Sequence, residues 1–140
     1  SGADIAVTID KEWESYWRAR NENPLDDAET LKLRKDGTIK EIGQKPKSLD
    51  EIEGQYMGLM KFSTKGVAQL KKTFNKCVEN GVLLGKSVED AYMTDLLQAM
   101  IDAKVVISAV PTQSNWVEVD TGSDLCSEIT KSRIIKLTRG

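Results

Sequence analysis

The apolar residues change their spacing several times along the chain, and each change predicts an element. Ile5, Val7 and Ile9 alternate with smaller residues, which is typical of a short strand. Asp10 follows this strand and precedes a run with helical spacing over residues 11–20. Because an aspartate at the start of a helix can accept hydrogen bonds from free backbone N–H groups, we expect Asp10 to cap this helix.

A β-hairpin and a further strand are predicted next. Residues 29–34 and 38–42 flank the sequence Lys35, Asp36 and Gly37, which is a hairpin turn signal. After a polar loop, residues 54–62 carry apolar side chains on both faces. That pattern predicts a central strand of a sheet, because only a central strand is covered on both sides.

Two amphipathic helices are predicted in the middle of the chain. Ser63 or Thr64 can cap the first helix, and Gly81 marks its end. Ser87 and Asp90 have the spacing of a capping box, which predicts that the second helix begins there. The apolar residues of this second helix recur at three and four positions, as on one face of a helix.

Strands and helices alternate in the last part of the chain. Residues 105–110 form a β-branched run with the length of a buried strand, residues 116–119 predict a shorter strand, and residues 123–131 predict a last helix. We therefore predict an α/β fold with a mixed sheet, flanking helices and the β-hairpin. The 140 residues fit one domain, with residues 1–3 interpreted as a cloning remnant and residues 4–140 as the domain.

Composition excludes several classes of function. The chain has 20 basic and 22 acidic residues that are interleaved along its length, so no basic stripe predicts a nucleic-acid partner. No apolar run reaches the length of a membrane span and no signal peptide opens the chain, so we expect a soluble cytoplasmic protein without membrane contact. The chain has no histidine, which excludes Ser/His and Cys/His mechanisms and a histidine-bound metal. Cys77 and Cys126 lack CxxC spacing and are expected to be buried thiols.

Two sequence motifs that suggest ligand binding have simpler explanations. GVLLGKS at residues 81–87 is similar to a phosphate-binding P-loop, but its first glycine is one residue too close and the segment follows a helix. We therefore expect Lys86 to be solvated. Trp13, Tyr16 and Trp17 could surround a quaternary ammonium group, yet their helical spacing already explains them as core packing.

Asp120 is the main candidate for metal chemistry. It closes the stretch WVEVDTGSDL, where a strand meets the start of a helix. A carboxylate at such an edge faces a cleft, and Mg²⁺ commonly takes one or two carboxylates together with substrate phosphates. The alternative is that Asp120 caps the helix together with Thr121 and Ser123.

Several motifs, in their order along the chain, carry a resemblance to a known family. QKPKS (44–48), EGQYMGLMKFS (53–63) and MTDLLQAMIDAKVVISAV (93–110), closing on WVEVDT (116–121), resemble the C-terminal half of a sugar-phosphate nucleotidyltransferase domain. The opening DIAVTIDKEWESYWRARNENPLDDAE resembles the branch that includes phosphocholine cytidylyltransferases and the nucleotidyltransferase domains fused to phosphoenolpyruvate mutases.

The resemblance implies both a fold and a reaction. The fold would be part of a Rossmann-like nucleotidyltransferase domain without its N-terminal nucleotide-binding half. The reaction would be the Mg²⁺-dependent transfer of a nucleotidyl group from a nucleoside triphosphate (NTP) to a phosphorylated or phosphonylated small molecule. The expected nucleotidyl group is CMP. Pyrophosphate would be released.

The resemblance also implies which residues form the site. Lys45 would contact the acceptor phosphate and Asp120 would bind Mg²⁺, and both would be catalytic. The acceptor pocket would be lined by Glu53, Tyr56, Gly58, Trp116 and Glu118. Tyrosine at position 56 favours an amino-alcohol or aminophosphonate acceptor. The alternatives are a solvated Lys45, a core tyrosine at position 56 and a Glu118 that only faces water.

The nucleotide-binding parts of the family are not found in these residues. Relatives begin with a Gly-rich loop, an arginine and a PK motif, followed by an aspartate that shares the metal. We therefore expect the chain to be inactive alone and to form a homodimer, or to pair with a chain that supplies the other half. The alternative is a non-catalytic dimerising or ligand-binding domain derived from the same fold.

Overall fold

The computed structural model describes residues 3–14, 28–112, 131–132 and 135. The predicted α/β fold with a mixed sheet is confirmed. The elements are β1 (Ile5–Asp10), β2 (Leu31–Leu33), β3 (Ile39–Ile42), β4 (Gln55–Phe62), α1 (Thr64–Asn80), β5 (Val82–Leu83), β6 (Lys86–Ser87), α2 (Met93–Asp102) and β7 (Ser108–Thr112), with 3₁₀ turns at Leu49–Glu51 and Val88–Asp90. Some predictions lie outside the described residues. They are the strand 116–119, the helix 123–131 except for residue 131, and the side chains of Tyr16, Trp17 and Cys126.

The three-stranded sheet has the order β4-β1-β7, with β1 antiparallel to β4 and parallel to β7. Among the described residues β1 is therefore the central strand and β4 lies at the edge, in contrast to the central strand predicted over residues 54–62. Strand β4 also contains a bulge. Met60 lies opposite Val7 and Tyr56 lies opposite Ile9, so three residues of β4 face Thr8 alone. The bulge changes which way the apolar side chains point, and Leu59 is left 67% exposed.

The hairpin β2–β3 confirms the turn prediction. Its strands are antiparallel, and Gly37 at the turn has a φ of 85°, which suits glycine. The Asp36 carboxylate accepts the backbone N–H of Thr38 at 2.9 Å. Hydrogen bonds from Ile39 N–H to the Ile107 carbonyl (2.8 Å) and from Ala109 N–H to the Gly37 carbonyl tie the hairpin to the chain that enters β7.

Helix α1 begins and ends where the sequence predicts. The Ser63 hydroxyl accepts the N–H of Gly66 at 3.0 Å and donates to the Asp4 carboxylate at 2.7 Å. A side chain at position 66 would collide with the Asp4 backbone carbonyl, so a glycine lets α1 pack against the start of β1. Gly81 ends the helix with a φ of 74°.

The start of α2 differs from the prediction. Ser87 does donate a hydrogen bond to Asp90 (2.6 Å), but this bond closes the 3₁₀ turn rather than the helix. Helix α2 begins at Met93, where the Asp95 carboxylate accepts the N–H of Tyr92 at 2.8 Å. The spacing of three residues between Ser87 and Asp90 recurs between Tyr92 and Asp95, and the second pair caps α2.

Lys86 is not a merely solvated lysine, and that prediction is wrong. Its ammonium lies 3.1 Å from a carboxylate oxygen of Asp95, whose side chain is only 3% exposed, and 5.4 Å from the centre of the Tyr92 ring. A buried carboxylate is costly unless it is paired, so Lys86 balances the charge of the cap. The segment that looked like a P-loop is the two-stranded hairpin β5–β6, with Leu84 and Gly85 at positive φ in its turn.

The core lies between β1, the hairpin β2–β3 and α2. Its largest fully buried side chains include Ile5, Ile9, Leu31, Ile39, Ile42, Leu97, Met100 and Ile107. Trp13 is buried, as its helical spacing predicts, whereas Cys77 is only half-buried against the core. None of the helices in the described residues is long and apolar enough to cross a membrane.

Helix α2 ends in a left-handed turn at Lys104. The N–H of Lys104 donates to Ile101 O and the N–H of Val105 donates to Met100 O, each at 2.9 Å, and Lys104 has a φ of 69°. This hydrogen-bond pattern usually carries glycine at the left-handed position. The turn also delays the next strand, so β7 begins at Ser108 instead of Val105, and Val106 is 62% exposed.

We predict that Lys104→Gly stabilises the protein. The substitution removes the clash of a Cβ at positive φ, and we expect the free energy of unfolding in urea to rise by about 0.5–1 kcal/mol. Lys40→Gly is the matched control, because Lys40 is an exposed lysine of strand β3 and glycine there should lower the free energy by a similar amount. A lower free energy of unfolding for Lys104→Gly would contradict the assignment of strain to this turn.

Candidate functional site

Residues 28–31 form the segment around which the predicted site is built. On one side this segment is bound to the chain that leads into the KP motif. The N–H of Thr30 donates to the Gln44 carbonyl and the N–H of Gly43 donates to the Thr30 carbonyl, each at 2.9 Å. The N–H of Gln44 also donates to the Thr30 hydroxyl at 3.1 Å. The position of the KP loop, residues 44–48, is therefore set by this segment.

The other side of the segment is bound to the chain that enters β4. The N–H of Glu53 donates to the Leu31 carbonyl at 2.8 Å, and the side-chain amide of Gln55 donates to the Glu29 carbonyl at 2.9 Å. Three stretches of backbone thus run side by side. Two strand spacings place the outer two about 10 Å apart. The KP loop and the predicted pocket residues of β4 are consequently neighbours across one segment.

The KP loop is held by Glu51. Lys45 is exposed and Pro46 is buried, while the N–H of Lys47 donates to the Glu51 carboxylate at 2.6 Å. Lys32 lies 3.5 Å from the same carboxylate. The hydrogen bond from Lys47, together with the positive charge of Lys32, holds the pKa of Glu51 below its usual value in spite of an opposite effect of burial. The carboxylate of Glu51 is therefore favoured in the folded protein, and it stabilises the loop that carries Lys45.

Glu53 is a positioning residue in this structure. Its carboxylate accepts the N–H of Leu33 in β2 at 2.7 Å, although its side chain is exposed. Together with the backbone hydrogen bond to Leu31, this contact attaches β2 to the entry of β4. The predicted contact between Glu53 and an acceptor stays a prediction.

Tyr56 and Gly58 lie at the bulge of β4. The Tyr56 side chain is half-buried and packs against the core, in agreement with the core alternative, and its hydroxyl lies 3.7 Å from the Met60 sulfur. Burial, and then the negative charge of Glu29, raise the pKa of Tyr56. Gly58 has a φ of 82° and no atom within 4 Å of the position that a Cβ would occupy. Tyr56 therefore lies near the charge of Glu29, and Gly58 borders open space.

Asp10 is a candidate that the sequence interpretation used only as a cap. Its carboxylate accepts the N–H of Glu12 at 2.8 Å, within a turn at residues 11–12 that precedes helical residues 13–14. The predicted cap at Asp10 stays a prediction. The side chain is also fully buried at the carboxyl end of β1, where Asp10 lies in register with Thr112 at the end of the parallel strand β7. Ligands of open α/β sheets bind outside the carboxyl ends of the strands. The signal that could have found Asp10 is the one used for Asp120, namely a carboxylate that ends an apolar strand.

The remaining predicted site residues cannot be located. Trp116, Glu118 and Asp120 lie outside the described residues. Within the described ranges, no group of three or more cysteine or carboxylate side chains could hold a metal ion. A magnesium site would therefore combine Asp10 or another single carboxylate with groups from elsewhere, such as Asp120 and substrate phosphates.

The arrangement of sheet and helices is that of a nucleotidyltransferase. A solved structure described as the inositol-1-phosphate CTP transferase from T. maritima matches 100% of this chain and 48% of its own length, with a TM-score of 0.61 and 15% identity. At this identity the similarity shows the fold alone.

The sequence comparison is more specific. The chain is 41% identical over 129 residues to the CTP:phosphoglutamine cytidylyltransferase of Campylobacter jejuni. The matched region covers 91% of this chain and 50% of the relative. The chain thus spans about half the length of this curated relative. The predicted resemblance to the C-terminal half of a nucleotidyltransferase domain, near the cytidylyltransferase branch, is confirmed. No protein-family model matches the sequence.

We predict that the contribution of Glu51 to stability depends on pH. Because the folded pKa of Glu51 is lowered, its contribution is present above the ordinary glutamate value of 4.5 and is lost as the pH falls through the folded pKa. Glu51→Gln should therefore lower the melting temperature at pH 7, and the difference from the parent should shrink as the pH falls below 4.5 and through the lowered folded pKa. Hydrogen exchange at the Lys47 amide should be faster in the variant at pH 7.

Glu89→Gln is the matched control for Glu51→Gln, because Glu89 is an exposed carboxylate on the second 3₁₀ turn. It should leave the Lys47 amide unchanged. A Glu51→Gln variant that keeps the parent's exchange rate at Lys47 would show that the carboxylate does not hold the KP loop.

Proposed function

We propose that this chain is the acceptor-binding part of a Mg²⁺-dependent cytidylyltransferase. The complete domain would transfer CMP from CTP to a small phosphorylated or phosphonylated molecule that also carries an amine, and would release pyrophosphate. The observation that carries the proposal is the segment 28–31, because its hydrogen bonds place the KP loop beside the entry of β4. The sequence similarity to a cytidylyltransferase supports the choice of CTP.

The described residues offer complementary groups to such an acceptor. Lys45 would bind the acceptor phosphate as a positive point charge, which lysine does well. Glu29 and Tyr56 would receive the amine, since the charge of Glu29 already acts on the Tyr56 hydroxyl. The open space above Gly58 would admit the acceptor to this end of the sheet.

The reaction would be an in-line displacement at phosphorus. A phosphate oxygen of the acceptor would form a bond with the α-phosphorus of CTP while the bond from that phosphorus to the β-phosphate oxygen breaks. Pyrophosphate would leave with both electrons of the broken bond. Lys45 would orient the attacking phosphate, and the half-buried Tyr56 would keep water from the amine side of the acceptor.

Asp10 and Asp120 would hold the magnesium ion. The fit rests on Asp10, a fully buried carboxylate at the carboxyl end of β1, and on the resemblance for Asp120. Magnesium would supply charge neutralisation at the phosphates. On this proposal Asp10 supplies the second carboxylate that the sequence interpretation considered missing.

We expect that these 140 residues do not turn over CTP alone, because the nucleotide would be bound in the half of the relative that this chain does not span. The test mixes the chain with that half of the Campylobacter jejuni relative and measures pyrophosphate release from CTP and Mg²⁺. Phosphocholine, 2-aminoethylphosphonate and phosphoglutamine serve as acceptors. Turnover should be found in the mixture with at least one acceptor and not with either half alone.

Lys45→Gln should lower kcat/KM in this mixture by about 10- to 100-fold, as expected for the loss of one charge-assisted contact. Lys47→Gln is the control, because Lys47 is an exposed lysine of the same loop. Asp10→Asn should abolish Mg²⁺-dependent turnover while circular dichroism shows an intact fold. Equal loss in both lysine variants, or an inactive mixture with every acceptor, would reject the proposal.

One observation favours the second candidate, a non-catalytic domain that dimerises. Several large apolar side chains are exposed around the end of α1 and the segment before α2. They are Phe74, Val78, Val82, Leu84, Tyr92 and Met93. Phe74, Tyr92 and Met93 share a shallow groove of about 210 Å³. Lys71 precedes Phe74 by one helical turn, and Glu89 and Asp90 belong to the 3₁₀ turn whose Val88 lines the groove, so the groove has charged residues of both signs next to it in sequence. Two copies related by a two-fold axis would bury this apolar groove between them.

We predict that Tyr92→Glu makes the chain monomeric in light scattering at concentrations where the parent is a dimer. Tyr92 is 69% exposed, so the substitution should leave the melting temperature of the monomer unchanged. Val110→Glu is the control on another exposed apolar residue, in β7. If the parent chain is monomeric both at high concentration and after 100-fold dilution, the proposal of a dimerising domain is rejected.

A further inference from the structure

A groove of about 760 Å³ lies between α1 and the end of α2, away from every residue assigned to the acceptor site. Lys72 and Lys76 line it from α1, and Lys104 lines it from the turn after α2. In the part of the chain that the structure describes, Asp102 is the one acidic residue of the lining. The groove therefore carries a positive charge in a chain whose formal net charge is −2.

The three lysines occupy positions where lysine is unfavourable for the fold. Lys72 and Lys76 are four residues apart on one helix, so their like charges are neighbours and repel. Lys104 holds a left-handed conformation that favours glycine. Within the described ranges, none of the three makes an ion pair or a hydrogen bond with a carboxylate. An anion in the groove would offset the repulsion of all three.

A helix end does not explain Lys72 and Lys76, because the last turn of α1 contains no basic residue. Lys104 lies just beyond the end of α2, where a positive charge also interacts favourably with the helix dipole. The groove also offers neutral donors, since Gln69 and Asn80 line it from α1. Lysine ammonium groups and side-chain amides together are suited to phosphate oxygens.

The lining also limits the kind of anion. Among the described residues that line the groove there is no aromatic ring, so none of them stacks on a nucleobase. Its volume is that of a site for a small molecule. A ligand would therefore be recognised by its phosphates and not by a base.

We propose that this groove is a binding site for a small molecule with two or more phosphate groups, either an inorganic polyphosphate or a bisphosphate ester. Lys72, Lys76 and Lys104 bind its phosphates. The site is separate from the acceptor site, because the two share no residue. Asp102, whose carboxylate accepts a hydrogen bond from the Gln98 amide at 2.9 Å, lowers the affinity for a compact anion and favours one that spans the lysines.

Cys77 provides a reporter for the test. Its free thiol is half-buried and lines the same groove. A bound polyphosphate covers the thiol, and the reactivity of a thiol depends on its access to the reagent. The rate of alkylation by iodoacetamide, read by mass spectrometry on the Cys77 peptide, should fall at least threefold with millimolar tripolyphosphate.

Three comparisons complete the measurement. Glucose 1,6-bisphosphate replaces tripolyphosphate in a second arm, and protection by one and not the other identifies the source of the phosphates. Sodium sulfate at equal ionic strength should give no protection. Alkylation of added N-acetylcysteine in the same mixture reports any general loss of reagent. Equal slowing by sulfate would mean simple charge screening, and it would overturn the proposal.

Variants separate binding in the groove from folding. Lys104→Gly, which should stabilise the fold, should raise the tripolyphosphate concentration for half-protection at least fivefold, and Lys72→Gln should do the same. Lys71→Gln removes a neighbouring lysine that does not line the groove, and Lys45→Gln removes the proposed acceptor lysine, so both should keep the parent's protection. Unchanged protection in a Lys72→Gln and Lys104→Gly double variant would overturn the proposal, whatever the result of the transferase assay.

Discussion

The structure of the candidate site depends on hydrogen bonds on both sides of residues 28–31. Ala28, Thr30 and Leu31 are buried, and a buried backbone must find partners for its N–H and carbonyl groups. This segment finds them at Gly43 and Gln44, where the KP loop begins, and at Glu53 and Gln55, where β4 begins. Satisfying one stretch of backbone thus brings two functional stretches together. The charges of the site are added to an arrangement that the backbone has already set.

Buried charge is the second constraint, and the protein meets it twice in different ways. Asp95 caps α2 from a buried position, and Lys86 from the β5–β6 hairpin supplies its counter-charge at 3.1 Å. Asp10 is buried at the end of the central strand and accepts a backbone N–H. The first carboxylate forms an ion pair with Lys86 beside a helix cap, which is a structural role. The second lies at the carboxyl end of β1, where α/β folds place ligands, and this position makes it the better candidate for chemistry.

Local chemistry made part of the fold predictable. The cap at Ser63, the glycine at the end of α1 and the turn of the β2–β3 hairpin each depend on residues close in sequence, and all three are as predicted. The errors arise where distant residues decide. The bulge in β4 depends on its pairing with β1, and the role of Lys86 depends on a carboxylate nine residues away that is buried by other elements.

The candidate site shows the same division. A lysine followed by proline and a glycine in a strand can be noticed in the sequence, and the resemblance to nucleotidyltransferases gave them roles. No periodicity reveals that Glu53 binds the hairpin through its carboxylate, or that Glu29 acts on Tyr56. These contacts join residues about 20 positions or more apart, so their existence depends on the folded chain. Sequence reasoning can therefore name candidate groups, whereas their distances and their partners require the structure.

The position of Lys45 depends on backbone hydrogen bonds more than on the charges around its loop. Glu51 and Lys32 flank the loop, but they are partly exposed, and exposed ion pairs contribute little because water and salt screen them. The hydrogen bonds of Thr30 with the backbone of residues 43 and 44 are shielded by burial and fix the loop more firmly. Backbone hydrogen bonds therefore place Lys45, and the charged side chains around the loop make the smaller contribution.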